Sequence, residues 1–360
     1  MSTPAPQLIP ATILTGFLGA GKTTLLKRVL SEAHGQKIAV IENEFGEENI
    51  DNEILVADTN EQIIQMSNGC ICCTIREDLR ATLIDLATKR RRGELEFDRV
   101  VIETTGVADP GPVAQTFFID DEIAETFVLD AILTLVDAKH AQGQLDSRQE
   151  ARRQVGFADQ IFISKSELVS ADELNALTHR LKHMNPRAPH KQVHFGEVSI
   201  AEVFDLRGFN LNAKLDIDPD FLKVDDHDHD HGHVHDEHCG HDHHDHDHAH
   251  GEACDHPHHH HHDDVKSFVF RADRAFNPAK LEDFLGAIVQ VYGPKMLRYK
   301  GVLNMKGTDR KVIFQGVHQL MGSDLGPKWA AGEKRTSKMV FIGIDLPKDV
   351  LMHGLDGCLV

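Results

Sequence analysis

The sequence lacks any run of 18 or more apolar residues, which excludes a long membrane-spanning helix. Its opening residues, MSTPAPQLIP, lack the basic and apolar regions of a secretory signal peptide. The chain also lacks a stripe of Lys and Arg of the kind that binds nucleic acid. We therefore expect a cytoplasmic protein with no membrane partner and no nucleic-acid partner.

The net charge of −19 is concentrated in one segment, residues 225–264. This segment holds 13 Asp and Glu and 18 of the 26 His, but neither Lys nor Arg. The rest of the chain has a net charge of −6 and is only mildly acidic. A segment of this composition cannot bury an apolar core, so we predict that it is a disordered linker.

The chain before this segment alternates between short apolar runs and stretches with helical spacing. Continuous apolar strands alternating with helices indicate an α/β fold with a mainly parallel sheet that is covered on both faces. We place this domain at residues 8–210. The predicted strands are 8–14, 37–41, 99–102, 131–136 and 160–163, and the predicted helices are 23–31 and 76–92.

At 360 residues the chain is long enough for a second domain. We place the linker at residues 211–264 and a small α+β domain at 265–360. In the latter, Asn277-Pro278 is a favourable helix start, because Pro suits the first helical position. The predicted strands of this domain are 265–272, 311–314 and 339–344.

A glycine-rich segment follows the first predicted strand and matches the pattern G-x-x-x-x-G-K-[ST]. In this pattern the backbone N–H groups surround a phosphate, Lys22 reaches the β- and γ-phosphates, and Thr23 offers its hydroxyl to Mg²⁺. Its position between a strand and a helix favours nucleotide binding over an ordinary glycine-rich turn. The predicted nucleotide-binding residues here are Gly16, Gly19, Ala20, Gly21, Lys22, Thr23 and Thr24.

A second segment, VVIETTG, is an apolar strand that ends in Glu103 and is followed by Gly106. Glu103 is in a position to bind the Mg²⁺ shell or to orient the attacking water, and the Gly106 N–H to meet the γ-phosphate. We therefore predict that Lys22 and Glu103 are the catalytic residues. The alternative is a strand that simply ends at a polar turn.

A third segment, Ser164-Lys165-Ser166-Glu167, is similar to the N-K-x-D motif with which GTPases read guanine. In that motif the Lys stem lies along the base and the acid accepts two N–H bonds from it. Ser164 replaces Asn and Glu167 replaces Asp, so the carboxylate is retained on a longer side chain. We predict guanine rather than adenine as the base.

The order of five segments resembles the CobW family of P-loop GTPases. These segments are GFLGAGKTT, ENEFGE, NGCICCT, VIETTGVADP and ISKSE. The family mark is C-x-C-C, which Cys70, Cys72 and Cys73 match residue for residue. The resemblance implies GTP hydrolysis coupled to the binding and delivery of a divalent metal, usually zinc or cobalt, to a client metalloprotein.

The chemistry of the three clustered cysteines agrees with a metal site. A disulfide between the adjacent Cys72 and Cys73 would close a strained ring, and no His is near in sequence to activate a nucleophile. Thiolates at this spacing are able to converge on Zn²⁺, with Glu47 or Glu42 as a fourth ligand. Redox regulation and a buried structural role are the alternatives.

The His/Asp segment is a second predicted metal site. Imidazoles suit Zn²⁺, Ni²⁺, Co²⁺ and Cu²⁺, and the interleaved Asp residues attract cations. We interpret the segment as a metal buffer or loading arm for the cysteine site, the alternative being a solvating linker. Its predicted ligands include His227, His229, His231, His241, His243 and His246.

The sequence therefore predicts a slow, metal-responsive GTPase that uses GTP and Mg²⁺ and carries Zn²⁺, with Co²⁺ or Ni²⁺ as other possible cargo. Slow turnover is expected because no arginine finger is evident. A metal-storage protein gated by nucleotide and an accessory to cobalt insertion in cobalamin synthesis are the alternatives. The client and the oligomeric state are left open.

Overall fold

The computed structural model contains two β-sheets, each with its own helices. The first belongs to the part of the chain before the His/Asp segment and the second to the part after it. The residues that the structure describes are 8–31, 35–42, 63–65, 74–206, 208–209 and 263–360.

The first sheet has seven strands, in the order β3-β2-β4-β1-β5-β6-β7, and all of its pairings are parallel. The prediction of a mainly parallel sheet is confirmed. Its strands are β1 Ile9–Gly16, β2 Ile38–Glu42, β3 Ile63–Gln65, β4 Arg99–Glu103, β5 Phe127–Asp137, β6 Gln160–Ser164 and β7 His190–Val193.

Helices connect these strands, as parallel pairing requires. Strand β1 lies between β4 and β5, so the chain reverses its strand order there, and ligands of such sheets bind at that point beyond the carboxyl ends. The helices are α1 Lys22–Ser31, α2 Thr74–Arg91, α3 Pro110–Ile119, α4 Asp121–Ala124, α5 Ala141–Ser147, α6 Gln149–Phe157 and α7 Ala171–Met184.

The second sheet is antiparallel, with strands in the order β11-β10-β9-β12-β8. Two helices, α8 and α9, supply apolar side chains to a core that it shares with them. The α+β class expected for this part of the chain is confirmed. The elements are β8 Val265–Ala272, α8 Pro278–Tyr292, β9 Met296–Asn304, β10 Arg310–Val317, β11 Leu320–Lys328, β12 Ser337–Ile344 and α9 Lys348–Gly357.

Helix α6 packs directly against the second sheet. A Cβ atom on Gly156 would lie 2.6 Å from Leu297 Cδ1 and 3.2 Å from Val265 Cγ1, so glycine permits this close approach. Leu297 and Val265 are fully buried in the same apolar cluster as the first sheet. One part of the second sheet therefore packs into the core of the first sheet, whereas another part packs with α8 and α9 in a separate core.

A buried charge cluster also joins the two parts of the chain. The Asp159 carboxylate, between α6 and β6, accepts hydrogen bonds from Arg298 Nη2 at 2.9 Å and Lys300 Nζ at 2.6 Å, both on β9. Both cations also donate to the carbonyl of Gly208, and the Arg298 guanidinium lies 3.3 Å from the ring centroid of Phe209. Burial lowers the pKa of Arg298 to about 10, and Asp159 opposes that shift.

The last two residues of the predicted linker belong to the described structure. Asp263 is buried and pairs with Arg180 at 2.6 Å, and Asp264 forms an ion pair with Arg152. Because Arg180 and Arg152 lie on α7 and α6, these pairs tie the entry of β8 to the first part of the chain.

His318, in the turn between β10 and β11, contacts the start of α3. A Cβ on Gly111 would lie 2.5 Å from His318 Nε2, and the imidazole ring meets Phe157 edge-on at 5.2 Å. Burial lowers the pKa of His318; Asp109 opposes this shift, whereas Arg153 reinforces it. The neutral imidazole is therefore the form that fits this interface.

We predict that His318→Gln reduces the pH dependence of stability. The unfolded chain binds a proton at His318 near pH 6.5, and the folded chain does so only at lower pH. This contribution to stability is complete above pH 6.5 and is lost as the pH falls towards the lowered folded value. The wild-type slope should exceed that of the variant by up to about 1.4 kcal/mol per pH unit.

Urea unfolding between pH 5 and 7.5 measures this difference. His353→Gln is the matched control, because His353 is exposed on α9. Equal slopes for the wild type and His318→Gln would contradict the prediction.

Candidate functional site

The glycine-rich turn connects β1 to α1 beside β5. Gly16, the last residue of β1, has φ of +143°, and a Cβ there would lie 2.3 Å from the carbonyl oxygen of Leu135. Gly19 and Gly21 also have positive φ, at +75° and +93°. All three conformations disfavour a side chain, so the backbone path itself requires the glycines of the motif.

Lys22 is the first residue of α1 and is almost fully buried. Its Nζ donates to the carbonyls of Gly16 at 3.0 Å and Phe17 at 3.2 Å. Burial lowers the pKa of Lys22, and the negative charge of Glu103 opposes that shift. The amine thus lies within the curve of the turn, where the motif places a phosphate.

Thr23 and Glu103 meet at the carboxyl end of β4. Thr23 Oγ1 donates to Glu103 Oε1 at 2.9 Å, across 80 residues of sequence. The next residue of the chain, Thr104, donates from Oγ1 to Thr15 Oγ1 at 2.8 Å and fixes the end of β4 against β1. The two residues that the sequence separately predicted to serve Mg²⁺ are therefore adjacent.

The segment after β4 packs on the glycine-rich turn. A Cβ on Gly106 would lie 2.5 Å from Leu18 Cα and 2.7 Å from Leu18 N, so there is no room for a side chain at this position. Gln154, fully buried on α6, donates to the carbonyls of Ala108 at 2.9 Å and Gly106 at 3.4 Å. The segment is therefore held between the turn and α6.

Ser164 and Lys165 lie at the carboxyl edge of the first sheet, where β6 ends. Ser164 Oγ donates to the carbonyl of Ala20 at 2.7 Å, so this serine ties the end of β6 to the glycine-rich turn. Lys165 has φ of +57°, and its Nζ pairs with Asp137 Oδ2 at 2.7 Å. Burial would raise the pKa of Asp137, but its bonds to Lys165 and His140 outweigh burial and lower it.

Glu167 lies at the outer end of the site. It lies in a short 3₁₀ turn, Ser166–Leu168, and its Oε2 is 3.4 Å from His194 Nδ1 in the loop after β7. Thr24 also faces that loop, since a Cβ on Gly196 would lie 3.4 Å from its carbonyl oxygen. The predicted nucleotide-binding residues thus share one edge of the first sheet.

Three residues at this edge were not predicted from the sequence: Asp137, Gln154 and His194. Asp137 ends a buried strand in an acid, as Glu103 does, and that signal was available. Gln154 and His194 have no local pattern that sets them apart. They reach the site only because α6 and the loop after β7 are brought there by the fold.

Glu42, one of the predicted metal ligands, is the last residue of β2 and is buried. It is the register partner of Glu103 on one side and of Gln65, the last residue of β3, on the other. This carboxylate therefore lies on the strand next to the one that carries Glu103.

The remaining predicted metal ligands lie outside the described residues. They are Cys70, Cys72, Cys73 and Glu47, together with the tract residues His227, His229, His231, His241, His243 and His246. In the described ranges, no group of three His, Cys, Asp or Glu side chains is arranged to hold a metal ion. The metal-binding role of the three cysteines, Glu47 and the tract histidines stays a prediction.

The parallel sheet, the glycine-rich turn with its buried lysine and the acid at the end of β4 define a P-loop nucleotide-binding protein. Residues 10–192 match the family described as CobW/HypB/UreG, nucleotide-binding domain, and residues 265–359 match the cobalamin synthesis protein cobW C-terminal domain. The chain belongs to the CobW family of P-loop GTPases.

Two curated relatives span most of the chain. The zinc chaperone YjiA of Escherichia coli is 37% identical over 350 residues, which cover 97% of this chain and 98% of the relative. The zinc chaperone CobW of Pseudomonas aeruginosa is 33% identical over 380 residues, covering 96% and 90%. A crystal structure of Zn(II)-bound YjiA GTPase from E. coli superposes with a TM-score of 0.71 at 32% identity, covering 99% of this chain and 100% of that one.

Within the described ranges, no helix has both the length and the apolar content needed to cross a membrane.

We predict that Gly106→Ala weakens GDP binding about 10-fold or more, because backbone atoms of Leu18 occupy the space that a methyl group needs. Isothermal titration calorimetry measures the affinity. Gly286→Ala is the matched control, since a Cβ there on α8 meets nothing within 4 Å. An unchanged affinity in Gly106→Ala would show that this contact does not shape the phosphate loop.

Proposed function

We propose that this protein is a GTP-hydrolysing zinc chaperone that delivers Zn²⁺ to a client metalloprotein. Two relatives that span nearly its whole length are named zinc chaperones. The observation that carries the proposal is the register pairing of Glu42 with Glu103, because it places a predicted metal ligand beside the nucleotide site.

The strand ends next to Glu42 support a metal site at this edge. The three cysteines lie in sequence between Gln65, which ends β3, and Thr74, which begins α2. Since β3 pairs with β2 in parallel, the chain leaves Gln65 and Glu42 at the same edge of the sheet. We propose Cys70, Cys72 and Cys73 as zinc ligands, completed by Glu42 or Glu47.

This proximity supports coupling between nucleotide and metal. A nucleotide that changes the affinity for zinc must itself bind with an affinity that zinc changes by the same factor. The ENEFGE segment begins at Glu42 and so leaves the sheet beside Glu103. We propose that GTP hydrolysis alters the conformation of this segment and thereby the affinity for zinc.

The nucleotide would be bound by the residues that line the carboxyl edge of the first sheet. Lys22 would neutralise phosphate charge, Gly106 would face the γ-phosphate, and Lys165 with Glu167 would read the guanine base. The hydroxyl of Thr23 and the carboxylate of Glu103 form an oxygen pair of the kind that Mg²⁺ prefers. When bound, Mg²⁺ would neutralise the charge that develops on the phosphates.

The His/Asp tract would supply metal to this site. Its imidazoles and carboxylates suit weak, unselective binding of several ions, and Co²⁺ and Ni²⁺ fit the same ligands as Zn²⁺. In the proposed organisation, residues 8–210 form the GTPase domain, 211–264 the metal-binding linker and 265–360 the CobW-type C-terminal domain. The client is a metalloprotein that receives its metal from the cysteine site.

The decisive experiment measures zinc affinity with GDP and with a non-hydrolysable GTP analogue. We expect affinities that differ about 5-fold or more, the lower end of typical allosteric couplings. Zinc should also change the rate of GTP hydrolysis. Equal zinc affinities in the two nucleotide states, together with a rate of GTP hydrolysis that zinc does not change, would refute the chaperone function and favour a storage protein.

Cys72→Ala should abolish the high-affinity site while leaving the chain folded. Cys358→Ala is the control, because Cys358 is a buried thiol near the Lys280 and Gly354 carbonyls in the second core. Loss of zinc in both variants, or in neither, would contradict the assignment.

Deletion of residues 225–262 should lower zinc stoichiometry and leave GTP hydrolysis unchanged. The deletion stops before Asp263 and Asp264 because their pairs with Arg180 and Arg152 anchor β8. Metal titration followed by elemental analysis measures the stoichiometry. An unchanged stoichiometry would refute the loading arm, and a companion deletion of 225–264 separates metal loss from destabilisation.

A further inference from the structure

The loop after β7 presents an exposed aromatic ring at the outer end of the nucleotide site. The Phe195 side chain is 72% exposed, and the residue has φ of +46°, a conformation that is rare for a bulky residue. Such strain persists only where the surrounding structure maintains it, and it concentrates at functional sites. Its neighbours indicate what the ring is placed to contact.

The first neighbour is the base-reading turn. Ser164 on β6 is the register partner of Val193 on β7, so the turns after both strands begin at the same level of the sheet edge. The two turns touch where His194 Nδ1 lies 3.4 Å from Glu167 Oε2. Phe195 thus directly follows His194, which contacts the Glu167 carboxylate proposed to read guanine.

The second neighbour is α1, the helix that follows the phosphate loop. A Cβ on Gly196 would lie 3.0 Å from Leu25 Cα and 3.3 Å from Leu25 N, so the loop passes directly over the helix backbone. Glu197 pairs with Arg28 of the same helix at 3.5 Å. The loop is therefore attached on both sides of Phe195, to the base-reading turn and to α1.

The orientation of the ring is also constrained. His194 meets Phe195 edge-on, with ring centroids 4.5 Å apart. In the base-reading turn, the Lys165 amine is held by Asp137 at 2.7 Å, which fixes the end of the lysine side chain. In the motif that this turn resembles, the lysine stem lies along one face of the base, so the other face is left for a second planar group.

We propose that Phe195 is this second group and stacks on the purine base of the bound guanine nucleotide. The proposal rests on the proposed function, since it requires GTP or GDP at the carboxyl edge of the first sheet. Stacking on an aromatic side chain recognises the face of a base, whereas Glu167 reads its edge. Phe195 therefore contributes affinity for purines, and Glu167 contributes the choice of guanine.

The test compares Phe195→Ala with the wild-type protein in GDP binding by calorimetry. Loss of a base stack should weaken binding about 5- to 100-fold. Inorganic tripolyphosphate, which has no base, should bind both proteins equally. Val291→Ala is the control, because Val291 on α8 is a comparably exposed apolar residue, at 69%, in the second part of the chain.

A Phe195→Trp variant gives an independent spectroscopic readout. Its indole should be quenched when GDP stacks on it, whereas the wild type, with Trp329 alone, should show no such quenching. GDP affinity in Phe195→Ala within 2-fold of a wild type that binds GDP would overturn the stacking proposal alone. Absence of GDP binding by the wild-type protein would instead overturn the proposed function.

Discussion

The carboxyl edge of the first sheet, where the predicted nucleotide-binding residues lie, depends on one constraint. This constraint is the close approach of the P-loop backbone to the neighbouring strand ends. Gly16 meets the Leu135 carbonyl with no space for a Cβ, and Gly106 meets the backbone of Leu18 in the same way. Ser164 then fastens β6 to the carbonyl of Ala20. The segment after β4, strand β5 and strand β6 each contact the turn. A change in the conformation of the phosphate loop therefore shifts all three.

Helix α6 extends these contacts to the second sheet. Gln154 holds the carbonyls that follow β4, whereas Gly156, two residues later, lies against Leu297 of β9. Arg153 pairs with Asp109 at the start of α3. One helix of nine residues therefore contacts both the segment that faces the nucleotide and the domain that follows the His/Asp tract.

The predicted strands of the first sheet were recovered within a few residues, because continuous apolar runs are a strong signal. Strand β9 was missed although all nine of its residues are buried. Its sequence, MLRYKGVLN, contains Arg298 and Lys300, and local patterning assigns such residues to the surface. They are buried here because Asp159, more than a hundred residues away, accepts hydrogen bonds from both. Long-range charge pairing of this kind has no local signature.

For the site, the spacing of Gly16, Lys22 and Thr23 was sufficient to predict the phosphate loop. A short backbone motif carries its own geometry, so it can be recognised without the rest of the fold. The order of the five segments likewise indicated the family, and the family matches over residues 10–192 and 265–359 confirm it. The cysteine ligands remain a prediction from chemistry.

The sequence by itself determined the parallel sheet, the phosphate loop and the types of metal-binding residue, because each depends on local periodicity or spacing. Only the tertiary structure decided that Glu42 lies beside Glu103, that His194 reaches Glu167 and that α6 bridges the two sheets. These contacts join residues that are distant along the chain. They follow from strand order and register, which are set by the packing of the whole core.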